Sequence, residues 1–162
     1  MNAPRRVYAL PHDHPRIVDD APAAFVHTIH TTADPYAAFD AITDLALESE
    51  WFPDFVDAER ETEAPHGPGS VRWYRTADVW LREHFVRWER GRRLTFVASA
   101  ISVPFVTSFG EDYRFAATDA GTRIDWRIAY TPRPIFRPLH PIIRPYFGRT
   151  FRIAAKRLEA AL

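Results

Sequence analysis

The sequence predicts an α+β domain: one antiparallel sheet of about seven strands, one or two short helices after the first strand, and a long C-terminal helix. Three observations lead there. Alternating, β-branched and aromatic stretches recur six times between residues 54 and 131, joined by short turn-rich links. A helical period occurs only after Thr32 and again towards the C-terminus. At 162 residues with 46% apolar content, the chain can bury one core and is too short for two comfortable ones.

Taken in order, residues 1–22 carry four prolines and scattered charge without periodicity, so they read as a mobile arm in front of a domain spanning 23–162. The His12-Asp13-His14 triplet in the arm could bind a metal, but none is expected. Two Arg at the start are followed by no apolar stretch, so a signal peptide is not expected and cytoplasmic residence is. "AAFVHTIHTT" from Ala23 then reads as the first strand. In "ADPYAAFDAITDLALESEWF", Asp34 can cap a helix and Pro35 suits its first position, with Phe39, Ile42 and Leu45 or Ala46 on one face. The six strands that follow are "DFVDAERETE", "SVRWYRT", "VWLREHFVRWE", "RLTFVASAIS", "TSFGEDYRFAAT" and "TRIDWRIAYT", a meander punctuated by "PHGPG", "TAD", "RGR", "SVPF" and "DAGT". The run "LTFVASAISVPFVTSFG" falls short of the ~20 apolar residues a spanning helix needs, and Pro104 divides it into two strands.

The last segment places Leu139, Ile143, Phe147, Phe151, Ala154 and Leu158 on one helical stripe, and Arg144, Arg149, Arg152, Lys156 and Glu159 opposite. Pro132 and Pro134 stop strand pairing, Pro138 or Pro141 can occupy a first helical turn, and Pro145 marks the true start or kinks the first turns. Repeats and low-complexity segments are not evident.

Hairpin registers assign faces. An Ala120-Gly121 turn makes residues summing to 241 face each other, so Phe115 meets Trp126, Tyr113 meets Ile128, Glu111 meets Tyr130 and Ala117 meets Ile124. The opposite face then carries Asp112, Arg114, Asp125 and Arg127 and is solvated. The "RGR" turn pairs Phe85 with Phe96, Arg87 with Leu94 and Glu83 with Ala98; Trp73 falls beside Leu81, and Trp80, His84 and Trp88 lie on the other face. The inner face is therefore aromatic but interrupted by Glu83, Glu111 and His27. An unpaired buried carboxylate costs several kcal/mol or takes up a proton. These groups are either paired with Arg75, Tyr130 or Tyr113, or they face a wet cavity, for which Ala98 and Ala100 leave room.

The order of elements, together with "TTADPYAAFDAITDLALESEWFPDF" and "VRWERGRRLTF", resembles the START-like SRPBCC superfamily in its polyketide cyclase/dehydrase branch. The first stretch is similar to that branch's ADP-x-x-A-F-D-x-x-x-D…W-x-P opening and the second to its W-E-P-x-x-R-L-x-F hairpin, although Gly91 stands where proline is common. The resemblance covers 23–162 and implies a helix-grip fold, a curved sheet wrapped around the last helix with an apolar cavity between them. It carries no shared catalytic motif, so it assigns no catalytic residue.

With 14% aromatics the composition agrees with a lined pocket. The expected function is to bind or carry a lipid or polyketide-like molecule. The expected ligand-binding residues are His27, Trp73, Glu83, Phe85, Phe96, Glu111, Tyr113, Phe115, Trp126, Tyr130, Phe147 and Phe151. The alternative is a cyclase/dehydratase with Glu111 or His27 as base and Tyr113, Tyr130 or Arg75 as donor. No cofactor, metal or nucleic acid is expected, since Cys is absent and no phosphate-binding, zinc or nucleophile-elbow motif occurs. Arg133, Arg137 and Arg144 interleave with Ile135, Phe136, Leu139 and Ile142, a pattern compatible with weak contact with an anionic membrane. The oligomeric expectation is a monomer or homodimer.

Overall fold

The first long strand ends at a capped helix, as its sequence demands. Asp34 accepts hydrogen bonds from the backbone N–H groups of Tyr36 and Ala37 at 2.8 and 3.1 Å, and Pro35 occupies the first helical position. The computed structural model describes residues 6–12 and 16–162. Its elements are β1 (Tyr8–Ala9), α1 (Ile17–Asp20), β2 (Ala23–Thr31), α2 (Pro35–Thr43), α3 (Glu48–Trp51), β3 (Phe55–Arg60), β4 (Val71–Thr76), β5 (Trp80–Glu89), β6 (Arg93–Ile101), β7 (Val106–Thr118), β8 (Gly121–Pro132), a 3-10 turn (Pro134–Leu139) and α4 (His140–Ala161). The strands form one antiparallel sheet ordered β2-β8-β7-β6-β5-β4-β3, with β1 added to β6. This is the α+β helix-grip arrangement, with a long C-terminal helix against the sheet.

Helix α4 lies across β2 because Gly148 has no side chain. A Cβ there would come within 2.6 Å of the Phe25 ring, which packs against Phe147, Phe151 and Tyr130. Phe151, Ala154 and Leu158 of the expected stripe are buried, while Phe147 is half-buried and Leu139 is exposed. Pro141 sits in the first turn of α4, and Pro145 lies inside the helix, which begins at His140 and not at this proline.

The 241 register is wrong by two residues. Tyr113 faces Trp126, Phe115 faces Ile124, Glu111 faces Ile128 and Ala117 faces Thr122, so the turn is Asp119-Ala120. Gly121 is drawn into the strand at φ +132, where a Cβ would strike the Thr31 carbonyl oxygen. A shift of two keeps every side chain on its expected face. A slip of one does not: Leu81 pairs with Tyr74, and Trp73 with Arg82, so Trp73 turns outward against Trp80. A bulge between Phe85 and Arg87 likewise replaces the Arg87–Leu94 pair by Trp88–Leu94 and brings Trp88 inward against Phe39 and Phe85.

The described parts of residues 1–22, expected as a mobile arm, pack on the sheet. Tyr8 and Ala9 pair with Ile101 and Ala100, and Leu10 donates its N–H to the Ser99 carbonyl, occupying the edge of β6 beyond its last pairing with β7 at Val97–Gly110. Val18, 1% exposed, packs with Val97 and Ala129 on the convex face of the sheet. That face is therefore not simply solvated. Asp112 on it is buried and accepts hydrogen bonds from Arg93, Thr95 and Arg114 at 2.7, 2.6 and 2.8 Å. Asp13 and His14 of the triplet lie outside the described residues.

Candidate functional site: a cavity between sheet and C-terminal helix

The concave face of the sheet and α4 enclose a cavity of about 320 Å³. Its apolar wall includes Trp51, Phe96, Ile101, Val106, Phe109 and Phe151. Exposed lining residues at Asp54, Asp78, Phe105 and Tyr146 mark the mouth, and the fully buried charged groups mark the closed end.

At the closed end, β7 turns Glu111 inward between Phe109 and Tyr113. Its Oε2 accepts two hydrogen bonds, from the Tyr113 hydroxyl at 2.7 Å and from Trp126 Nε1 at 2.9 Å. Burial dominates its titration and pushes the carboxyl up to about 8, against the opposing hydrogen bond from Tyr113; the neighbouring Glu83 charge acts in the same direction as burial. Glu111 is thus predominantly protonated at neutral pH. Burial also raises Tyr113 well above an ordinary phenol, so it remains a neutral donor.

Beside it stands an ion cluster. Arg72 donates from Nε to Glu83, its cross-strand neighbour, and grips Glu48 with both terminal nitrogens at 2.8 and 3.1 Å. All three side chains are buried. Desolvation raises Glu48 to about 7 and raises Glu83, both opposed by the Arg72 charge. Arg72 itself is held protonated by the two carboxylates, which outweigh its own desolvation. Of the partners expected for the inward carboxylates, Tyr113 bonds Glu111, whereas Arg75 lies on the outer face with its guanidinium 5.0 Å from the Trp80 ring centre and Tyr130 turns to His140. Arg72 takes the place of Arg75.

Nearer the mouth, the Tyr130 hydroxyl is 2.8 Å from His140 Nε2. Burial raises Tyr130, with Arg144 opposing. Two further wall residues, Trp51 and Tyr74, hold a buried indole nitrogen and a buried hydroxyl that find no hydrogen-bond partner. Among the described residues no group of three or more His, Asp or Glu is placed to hold a metal ion.

Residues 22–162 match the family model described as "Polyketide cyclase / dehydrase and lipid transport". The chain belongs to this family. An uncharacterized protein of Mycobacterium tuberculosis is 28% identical over 142 residues, spanning 83% of this chain and 85% of that one. Among solved structures, a START superfamily protein from Mycobacterium smegmatis superposes with a TM-score of 0.69 at 12% identity, covering 85% of this chain and 94% of that one. The di-domain ARO/CYC StfQ from the steffimycin biosynthetic pathway gives 0.70 at 14% identity, covering 88% of this chain and 51% of that one. These likenesses establish a START-like fold. The family as a whole associates that fold with hydrophobic ligands or cyclisation.

Of the twelve residues expected from the sequence, Glu83, Phe96, Glu111, Tyr113, Tyr130, Phe147 and Phe151 line the cavity. Trp126 stands behind Glu111 and touches the site through it. Phe85 packs under Arg72, with the guanidinium 5.4 Å from its ring centre, and Phe115 packs on Phe39 in the core. Trp73 faces outward, and His27 is half-buried beside Trp126, outside the wall, with burial first and Arg152 second lowering its proton affinity. Sequence reasoning missed Glu48, Trp51, Arg72, Tyr74 and His140. Arg72 and Tyr74 were recoverable from the alternation in "VRWYRT" had the register been drawn one residue over. Glu48 and Trp51 sit on a four-residue helix whose face no periodicity reveals.

Proposed function

We propose that the protein binds and carries a hydrophobic small molecule, a lipid or a polyketide-like compound, with an oxygen-bearing end directed to the closed end of the cavity. One observation carries the reading: a mainly aromatic and aliphatic cavity ends, beside the paired Arg72–Glu48–Glu83 cluster, at the buried Glu111 carboxyl, which burial pushes up to about 8. With Oε2 of Glu111 accepting from Tyr113 and Trp126, Oε1 is left to carry the proton and donate it to a ligand oxygen. Such an anchor orients a ligand without the cost of desolvating a charge. The unpartnered Trp51 and Tyr74 donors support the same polarity, since a ligand acceptor that reaches them relieves a penalty of about 1–3 kcal/mol each.

A second reading is cyclisation with dehydration, favoured by the position of Glu111 on the pH scale and by the StfQ likeness. A carboxyl near 8 is suited to exchange protons at neutral pH. In this reading Tyr74 or Tyr130 is the donor that stabilises an enolate, because Tyr113 is already committed to Glu111.

Native mass spectrometry of the protein purified from its own cells, followed by denaturing extraction, tests the carrier reading. A retained amphiphile is expected. The absence of both a retained molecule and saturable quenching of tryptophan fluorescence by fatty-acid and aromatic polyketide probes would refute it. Glu111→Gln weakens such binding if the residue is an anchor. If it is the acid–base group, Gln leaves binding and abolishes turnover of a poly-β-ketone substrate.

A further inference from the structure

The prolines that precede α4 are not scattered. The segment 133–146 reads Arg133-Pro134-Ile135, Arg137-Pro138-Leu139, His140-Pro141-Ile142 and Arg144-Pro145-Tyr146, with Phe136 and Ile143 between units. The same order of cation or histidine, proline and apolar side chain thus returns at spacings of four, three and four residues. That is helical spacing, so each residue type stacks into its own ribbon, with the three ribbons about 100° apart around the axis.

The structure turns the apolar ribbon to solvent. Ile135, Leu139, Ile142 and Tyr146 are 76%, 49%, 75% and 73% exposed, and the four prolines beside them are exposed as well. Phe105, 42% exposed and in edge-to-face contact with Phe136, extends the patch across the cavity mouth. Of the basic ribbon, His140 and Arg144 line the cavity and Arg137 is exposed. Arg133 lies over the Tyr8 ring, and Arg144 lies over Phe25 and donates to the Ala24 carbonyl. No acidic residue occurs from 133 to 149, and among the described residues no carboxylate pairs with Arg133, Arg137 or Arg144. A contiguous apolar surface left uncovered on a soluble domain marks a contact.

We propose that this face is a docking surface for an anionic lipid bilayer, with the apolar ribbon entering the interface, the exposed Arg137 at headgroup level and the cavity mouth beside the membrane, its Asp54 and Asp78 turned to water. Charge selects the occupant. A second copy joined by a two-fold axis would set this arginine ribbon against its own image, whereas lipid phosphates neutralise it. The proposal rests on the surface alone and holds whatever the cavity binds.

Flotation with vesicles of phosphatidylcholine, with and without phosphatidylglycerol, tests it. The wild-type protein floats with the anionic vesicles at low salt and is released at high salt, where screening shortens to about 3 Å near 1 M. Ile135→Ser with Ile142→Ser lowers partition at least about tenfold. Arg137→Glu lowers it by roughly the same factor. Both variants keep the melting temperature, since these side chains are exposed. The proposal is overturned by absence of binding at low salt, by equal binding to neutral vesicles, or by anionic binding that neither variant reduces. A dimer in light scattering that the double serine variant dissociates, without vesicle binding, would assign the face to a second copy instead.

Discussion

Glu111 ties stability to pH, in a window it shares with Glu48, which burial raises to about 7. The ordinary value of Glu111 is 4.5 and its folded value about 8. Below 4.5 it is protonated in both states and costs nothing. Between those limits the folded chain holds a proton that the unfolded chain has released, so stability falls as pH rises, by up to about 1.4 kcal/mol per pH unit, and the loss is complete above about 8. Glu111→Gln keeps an acceptor for Tyr113 and Trp126 and removes the titration. Thermal melts from pH 6 to 9 should therefore decline less steeply in the variant than in the wild type; parallel curves would show that another group sets the slope. Arg72 behaves oppositely, as a charge whose removal strands Glu48 and Glu83. Arg72→Met is expected to cost about 3–5 kcal/mol in urea unfolding. That Glu111 faces inward was legible from the alternation of Phe109, Glu111, Tyr113 and Phe115. Its partner Tyr113 was legible, but Trp126 was not, because the hairpin register is shifted by two residues; for Glu83 a one-residue slip exchanged Arg72 and Tyr74 for Trp73 and Arg75.

Among elements, the N-terminal segment differs most from its sequence. Composition alone makes 1–22 an unattached arm, since two buried side chains, Leu10 and Val18, produce no period. The sheet supplies what the arm lacks: an open edge of β6 for Tyr8 and Ala9, and a shallow apolar hollow of Val97 and Ala129 for Val18. Burying Leu10 and Val18 stabilises by about 1.5–3 kcal/mol each. Deletion of residues 2–20 should accordingly lower the melting temperature by roughly 6–24 °C, at about 2–4 °C per kcal/mol for a domain of this size. An unchanged melting temperature would mean that the arm's pairing adds nothing in solution. Helix α4 was legible in its second half, where Phe151, Ala154 and Leu158 are buried as their spacing requires. In its first half Ile143 and Phe147 of the expected stripe line the cavity while Ile142 and Tyr146 point outward, and spacing alone cannot say which of two apolar ribbons meets the sheet.

For the whole molecule, the cavity is the feature that ligand binding must fill. A ligand held only by the folded state stabilises it by about 2.7 kcal/mol at a hundredfold excess over Kd, so the melting temperature should rise by roughly 5–10 °C with a cognate amphiphile. A matched hydrocarbon without an oxygen should raise it less, because it leaves the Glu111 end unsatisfied. The sequence by itself determined the order of elements, the capped helix at Asp34, the strand faces of β7 and β8 and the long final helix, since each depends on neighbours within a few residues. It also determined that aromatic side chains and carboxylates would share one face of the sheet. Only the tertiary structure decided that Arg72 bridges Glu48 and Glu83, that Trp88 turns inward at a bulge, that His27 stands outside the wall and that the arm closes the edge of β6. These depend on which strands meet, in what register and against which helix, and such long-range closure leaves no period in the chain.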